Sequence, residues 1–295
     1  MKKGPRAKKT PGSSATFLEE RVDTRTVDRF RDLTREMNRL GFPHLLFGLW
    51  ATEAALLVHG IGVGARPAAG NAVDVVFPVD SWDGYRKAVG GLEGCGFRRA
   101  ETEGILTDPG GIQLSLWPFG EGIAPGECLV WETSRKEYST AGLDRALALA
   151  RNWKVAEDLE ILVPPIPQVL LVKIVFYLSR MEVRDLTDIV FLLEKYPEDP
   201  EIGIDPAGTP ESPIPESSRR NGAIRLGGIM RASLEPSHLR IVERFLEEIQ
   251  VVHSPLISRI LREEDGPTDG KRIEELFGWF DAFRQGLDLL STTGG

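Results

Sequence analysis

Apolar residues recur every three or four positions through Val27, Phe30, Leu33, Met37 and Leu40. That spacing predicts an amphipathic helix, and Gly41 is placed to end it. A short apolar run, Leu45-Leu46-Phe47-Gly48, follows, and then a helical stretch over residues 50–58. Residues 60–70 form a Gly-rich loop. The Val- and Phe-dominated segment 72–77 predicts a buried strand. Residues 82–92 predict a helix weakened by Gly90 and Gly91. Segments 97–107 and 112–117 predict a hairpin, because Asp108-Pro109-Gly110-Gly111 between them is rich in residues that set turn geometry. Segment 129–133 adds a further strand.

The pattern changes in the second half. Pro164, Pro165 and Pro167 open a strongly apolar helix that runs to Arg180, and a second helix spans 184–196. Residues 197–222 are Pro-rich and predict a linker. Helical stretches at 223–233, 237–264 and 270–290 close the chain, with Pro255 a break point in the middle one. The pattern predicts an α/β (α+β) domain with a mixed sheet over 17–135 and a mostly helical domain over 136–295. Residues 1–16 hold little apolar surface and five cations, which predicts a disordered basic tail.

Composition narrows the function classes. The 295 residues carry 44 acids against 36 Lys and Arg, a net charge of −8. That balance argues against broad coating of nucleic acid, which needs many cations to displace counterions. Cys95 and Cys128 have no CxxC spacing, so a zinc site and a disulfide framework are both excluded as organising features. No apolar run reaches membrane-spanning length, and the N-terminus lacks a secretory h-region. The expectation is a cytoplasmic protein.

Local motifs for common chemistries are missing. His44, His59, His238 and His253 form no HExxH pair, and no serine sits in a GxSxG elbow. Gly60, Gly62 and Gly64 spell GxGxG, but a dinucleotide loop must follow a strand and open a helix, and this one follows a helical stretch. Another arrangement is more informative. Gly48 ends an apolar run, a helix and loop follow, and Asp74 sits inside the strand Val73-Asp74-Val75-Val76-Phe77.

That order resembles the nucleotidyltransferase superfamily related to DNA polymerase beta. There, a strand-ending Gly starts a helix beside the triphosphate, the next strand carries Asp-x-Asp, and a later strand adds a third carboxylate. Carboxylates on alternate strand residues face the same way and can hold two divalent ions for in-line phosphoryl displacement. The segment 166–193, IPQVLLVKIVFYLSRMEVRDLTDIVFLL, is similar to the helical signature of AbiEii-type and minor nucleotidyltransferases. Pro118-Phe119-Gly120 is similar to the strand end that follows the third carboxylate there. Over residues 25–195 the resemblance implies Asp74 as catalytic metal ligand and Gly48 beside the phosphates. It implies Lys173 and Arg180 on triphosphate oxygens, with Arg184, Asp185 and Asp188 completing a nucleotide-binding signature. Mg2+ and an NTP would be the cofactor and ligand, and RNA or a cognate partner protein the companion.

The departures from that pattern carry as much information. Asp74 is followed by Val76 and preceded by Ala72 at the positions where a second acid belongs. The strand Ile112-Gln113-Leu114-Ser115-Leu116 contains no acid, and Leu49 replaces a small residue after Gly48. One carboxylate cannot hold two Mg2+ ions, which need several hard oxygen ligands. The leading expectation is therefore a nucleotide-binding, toxin-like protein of this fold with a degenerate metal site and weakened or lost catalysis. The alternatives are an active Mg2+-dependent enzyme moving an NMP from an NTP to a hydroxyl, and a non-enzymatic interaction protein. For the helical charges, the structural alternative is an Arg184–Asp188 pair with Lys173 reaching out to solvent.

Overall fold

The structure is a computed structural model describing residues 24–48, 52, 54–56, 72–156, 158–197, 216–250 and 270–289. The predicted loop 60–70, most of the helix 50–58 and the segment 251–264 lie outside the described residues.

The first helix, α1 (Thr24–Leu40), buries Val27, Phe30, Leu33 and Met37 completely and ends at Gly41 in the left-handed region. β1 (Leu45–Phe47) then enters the sheet, and the Gly48 carbonyl just beyond it accepts from the Thr52 amide and hydroxyl at 3.0 and 3.1 Å. β2 (Ala72–Pro78) is followed by α2 (Trp82–Gly94), capped by the Ser81 hydroxyl, which accepts from the Gly84 amide. The run 97–107, expected as one strand, is two: β3 (Arg98–Arg99) and β4 (Ile105–Thr107) pair antiparallel. The polar residues Glu101, Thr102 and Glu103 between them turn the chain instead of pairing. β4 continues into β5 (Gln113–Phe119) as the predicted hairpin, its turn held by Asp108, which accepts from the Gly110 and Ile112 amides and from Arg29.

β6 (Cys128–Val130) and β7 (Glu137–Ser139) form a separate two-stranded ribbon. The expected strand at 129–133 is thus shorter and lies off the main sheet. After α3 (Leu143–Leu149), β8 (Arg151–Ala156) and β9 (Leu159–Val163) return to it. The seven strands run β3-β4-β5-β2-β1-β9-β8, with β2–β5 and β1–β9 parallel and the other neighbours antiparallel. The sheet therefore takes its last strands from residues 151–163, beyond position 135.

The helical part begins with α4 (Ile166–Arg180) and α5 (Val183–Lys195), joined through Met181 and Glu182. α6 (Glu216–Ser233), α7 (Pro236–Gln250) and α8 (Gly270–Leu289) follow. α6 starts within the segment expected as linker: residues 216–222 hold no proline, so they are free to be helical. Among the described residues no helix is long and apolar enough to cross a membrane.

Both faces of the sheet are covered. Phe77 packs against Phe42 and Tyr85, which puts α2 on one face. Phe47 and Trp117 pack against Phe176 of α4 on the other, at ring separations of 5.9 and 4.2 Å. Each such fully buried aromatic or aliphatic side chain contributes roughly 1.5–3 kcal/mol. The cost falls on any polar group sealed in the same layer.

Candidate functional site

Strand register brings the sequence candidates together. Phe47, the residue before Gly48, lies opposite Asp74 across the β1–β2 pair, and Ser115 lies abreast of Asp74 on β5. Side chains alternate along a strand, so Ala72, Asp74 and Val76 share the α4-facing side with Ser115 and Trp117. α4 delivers Lys173 and Arg180 to that side. The two-residue connection through Met181, held in the left-handed region at φ +54°, folds α5 back at once. Its first two turns then present Arg184, Asp185 and Asp188.

The Asp74 carboxylate is buried, and both of its oxygens accept hydrogen bonds. Oδ1 accepts from Arg180 Nη1 at 2.6 Å, Trp117 Nε1 at 3.1 Å and Arg184 Nη2 at 3.5 Å. Oδ2 accepts from Arg180 Nη2 at 3.0 Å. Three of these N–H groups crowd Oδ1 and one reaches Oδ2, so both oxygens are held by cationic or indole donors. Arg180 turns its other edge to Asp185: Nε donates to Oδ2 at 2.6 Å and Nη2 to Oδ1 at 2.7 Å. Its guanidinium lies 5.0 Å from the Phe176 ring centre and 5.5 Å from that of Trp117. Lys173 closes the inner end, 2.7 Å from Asp188 and 3.6 Å from Asp185.

Lys173 is 1% exposed and its side chain does not reach solvent, while the side chain of Arg180 is 9% exposed. Arg184, at 31%, forms the rim and pairs with Glu182 as well as Asp74. The expected structural pairing of Arg184 with Asp188 is replaced by Arg184–Asp74 and Lys173–Asp188. Every charged group of the sequence signature is thus present in one network, and Gly48 sits one residue beyond the strand position facing it.

Electrostatics follow from that packing. Burial alone would raise the Asp74 carboxyl, but the charge and hydrogen bonds of Arg180, then the charges of Arg184 and Lys173, hold it well below the usual carboxylate range. Burial works against the Lys173 ammonium, yet Asp188, Asp185 and Asp74 together raise it, so it stays protonated. Burial raises the Asp185 carboxyl against the pull of Arg180 and Lys173.

The residues present do not fit a two-metal centre. Ala72, Val76 and Ser115 supply no carboxylate beside Asp74, and both oxygens of Asp74 already accept from Arg180. Among the described residues, no group of three or more His, Cys, Asp or Glu is arranged to hold a metal ion. Two contributors were not singled out from the sequence, Trp117 and Phe176. The signal for Trp117 was present: it stands two residues after Ser115, hence on the same face. A cavity of about 250 Å3 lies on the α2 side of the sheet, lined in part by Trp82, Tyr85, Arg99 and Glu103, and none of its lining residues belongs to this network.

No family model and no curated protein matches the chain. Solved structures do. One is the antibiotic-resistance factor ANT(2'')-Ia, at 12% identity and TM-score 0.37, covering 58% of this chain and 84% of that one. Another is an antigenic nucleotidyltransferase-like protein from Paracoccidioides brasiliensis, at 18% identity and TM-score 0.35, covering 58% of this chain and 76% of that one. The chain is similar to both.

Proposed function

We propose that this is a nucleotidyltransferase-fold protein that binds nucleotide without two-metal nucleotidyl transfer. The observation that supports this most is the double fork of Arg180 on Asp74, at 2.6 and 3.0 Å, with no second acid on the neighbouring strand positions. In-line phosphoryl displacement draws on two cations that stabilise the attacking and leaving oxygens. Here the carboxylate that would ligate them is neutralised by a side chain. Arg184 is the cation of the network with surface to offer a phosphate, and Gly48 follows the strand residue that lies opposite Asp74. Mg2+ and NTP as working cofactor and substrate belong to the active alternative. RNA or a cognate partner protein, a toxin-like role as in AbiEii-type proteins, and a cytoplasmic location belong to the same proposal.

Incubation with α-labelled NTP, Mg2+ and an RNA or protein acceptor tests it. The expected result is measurable NTP binding, weakened about tenfold or more by Arg184→Ala, which corresponds to the loss of one charge-assisted contact, and no label transfer. Transfer that Asp74→Asn abolishes would establish the active enzyme instead. A second reading, an interaction protein on this fold, draws support from the burial of Lys173 and Arg180, which leaves neither a free face for phosphate. It predicts no NTP binding with or without Mg2+.

A further inference from the structure

The Arg180 guanidinium lies between two carboxylates on different parts of the fold, Asp74 on β2 and Asp185 on α5, and makes a two-pronged contact with each. All four bonds lie between 2.6 and 3.0 Å. The stacked rings of Trp117 and Phe176 lie against the guanidinium, where they supply π faces and no oxygen. A divalent ion wants about six oxygen ligands in a near-octahedral shell, and these walls cannot give them. A planar, delocalised cation wants parallel forks in its plane and aromatic faces above it, which is what the walls provide. The Lys173 ammonium, 3.6 Å from Asp185, adds a positive charge that opposes a compact dication there.

We propose that Asp74 and Asp185, with Trp117 and Phe176, form a binding slot for a planar guanidinium cation rather than for a metal ion, and that Arg180 fills it from within the same chain. The slot rests on the geometry of these residues and stands whether or not the protein binds nucleotide. It joins the sheet to the helical hairpin: without its cation, Asp74 keeps only Trp117 and the longer contact to Arg184, and Asp185 keeps Lys173 at 3.6 Å, so each buried carboxylate loses its two short charge-assisted bonds, a costly state.

Arg180→Ala vacates the slot. Methylguanidinium at millimolar concentration is expected to raise the thermal midpoint of that variant by about 2–4 °C or more. Methylammonium, K+ and Mn2+ are expected to do little, and the rescue should vanish in the Arg180→Ala/Asp185→Asn double variant. A larger shift from Mn2+ than from methylguanidinium, or no shift from methylguanidinium, overturns the proposal. Should Arg180→Ala fail to fold, the wild-type protein supplies the readout by NMR. Forks on both edges stop guanidinium rotation, so separately resolved Nη–H signals for Arg180 are expected at low temperature. A single averaged signal contradicts the slot.

Discussion

Asp74 is the residue at which charge, packing and chemistry meet. Removing its charge leaves Arg180 buried with Asp185 as its one short-range carboxylate partner and Glu182 at 3.7 Å. Breaking a buried pair from one side costs about 3–5 kcal/mol, so Asp74→Asn is expected to lower stability by that amount in urea unfolding at pH 7. The pH dependence follows from the sign of the shift. The folded carboxyl is held below its unfolded value, so its contribution is full above the unfolded pKa of about 3.9 and is lost as pH falls towards the folded one. The stability gap between wild type and Asp74→Asn should therefore be constant above about pH 5 and close progressively below about pH 4. An unchanged gap at pH 3 counts against an ionised, paired Asp74. At this scale the sequence was informative about identity but not about engagement. The resemblance carried by β2 and by residues 166–193 marked Asp74, Lys173, Arg180, Arg184, Asp185 and Asp188. It could not show that the cations would bond to the acids, because that depends on how close α4 lies to the sheet, which Trp117 and Phe176 determine.

At the scale of elements, the legible parts were those with a strong local period. α1 shows its apolar stripe directly, and the Asp108 turn carries its own side-chain hydrogen bonds. β9 has a pairing partner in β1 more than a hundred residues away and β8 joins the sheet only through β9, so no local pattern announces their place in the sheet. The packing of α6 on α8 was equally hidden, since it depends on close backbone approach. A Cβ at Gly286 would collide with the Ile224 carbonyl, and one at Gly227 with the Phe283 carbonyl, whereas at Gly228 the nearest atom is 3.7 Å away. Gly286→Ala should therefore destabilise by about 1–3 kcal/mol through overpacking. Gly228→Ala should be neutral or stabilise by up to about 1 kcal/mol through helix propensity. Thermal unfolding of the two variants side by side checks this, and equal midpoints would contradict the close helix crossing.

For the whole molecule, the helical part acts as a lid over the face of the sheet that carries Asp74. Its contacts there are aromatic at Phe47, Trp117 and Phe176 and ionic at Arg180 and Arg184. A second tie lies further along, where His238 of α7 meets Glu127 at 3.0 Å beside the β6–β7 ribbon. The surplus of acids in the composition argues against broad nucleic-acid coating but does not locate the site. What matters is that the strand positions next to Asp74 hold Ala72, Val76 and Ser115, and that an arginine takes the place a cation would need. Manganese titration followed by electron paramagnetic resonance, with wild type and Asp74→Asn compared at equal concentration, tests that claim most directly. The account predicts the same number of bound ions in both proteins, because Arg180 already neutralises Asp74 and holds both of its oxygens. One additional ion bound by wild type and lost in Asp74→Asn would show that Asp74 ligates metal and that Arg180 yields to it.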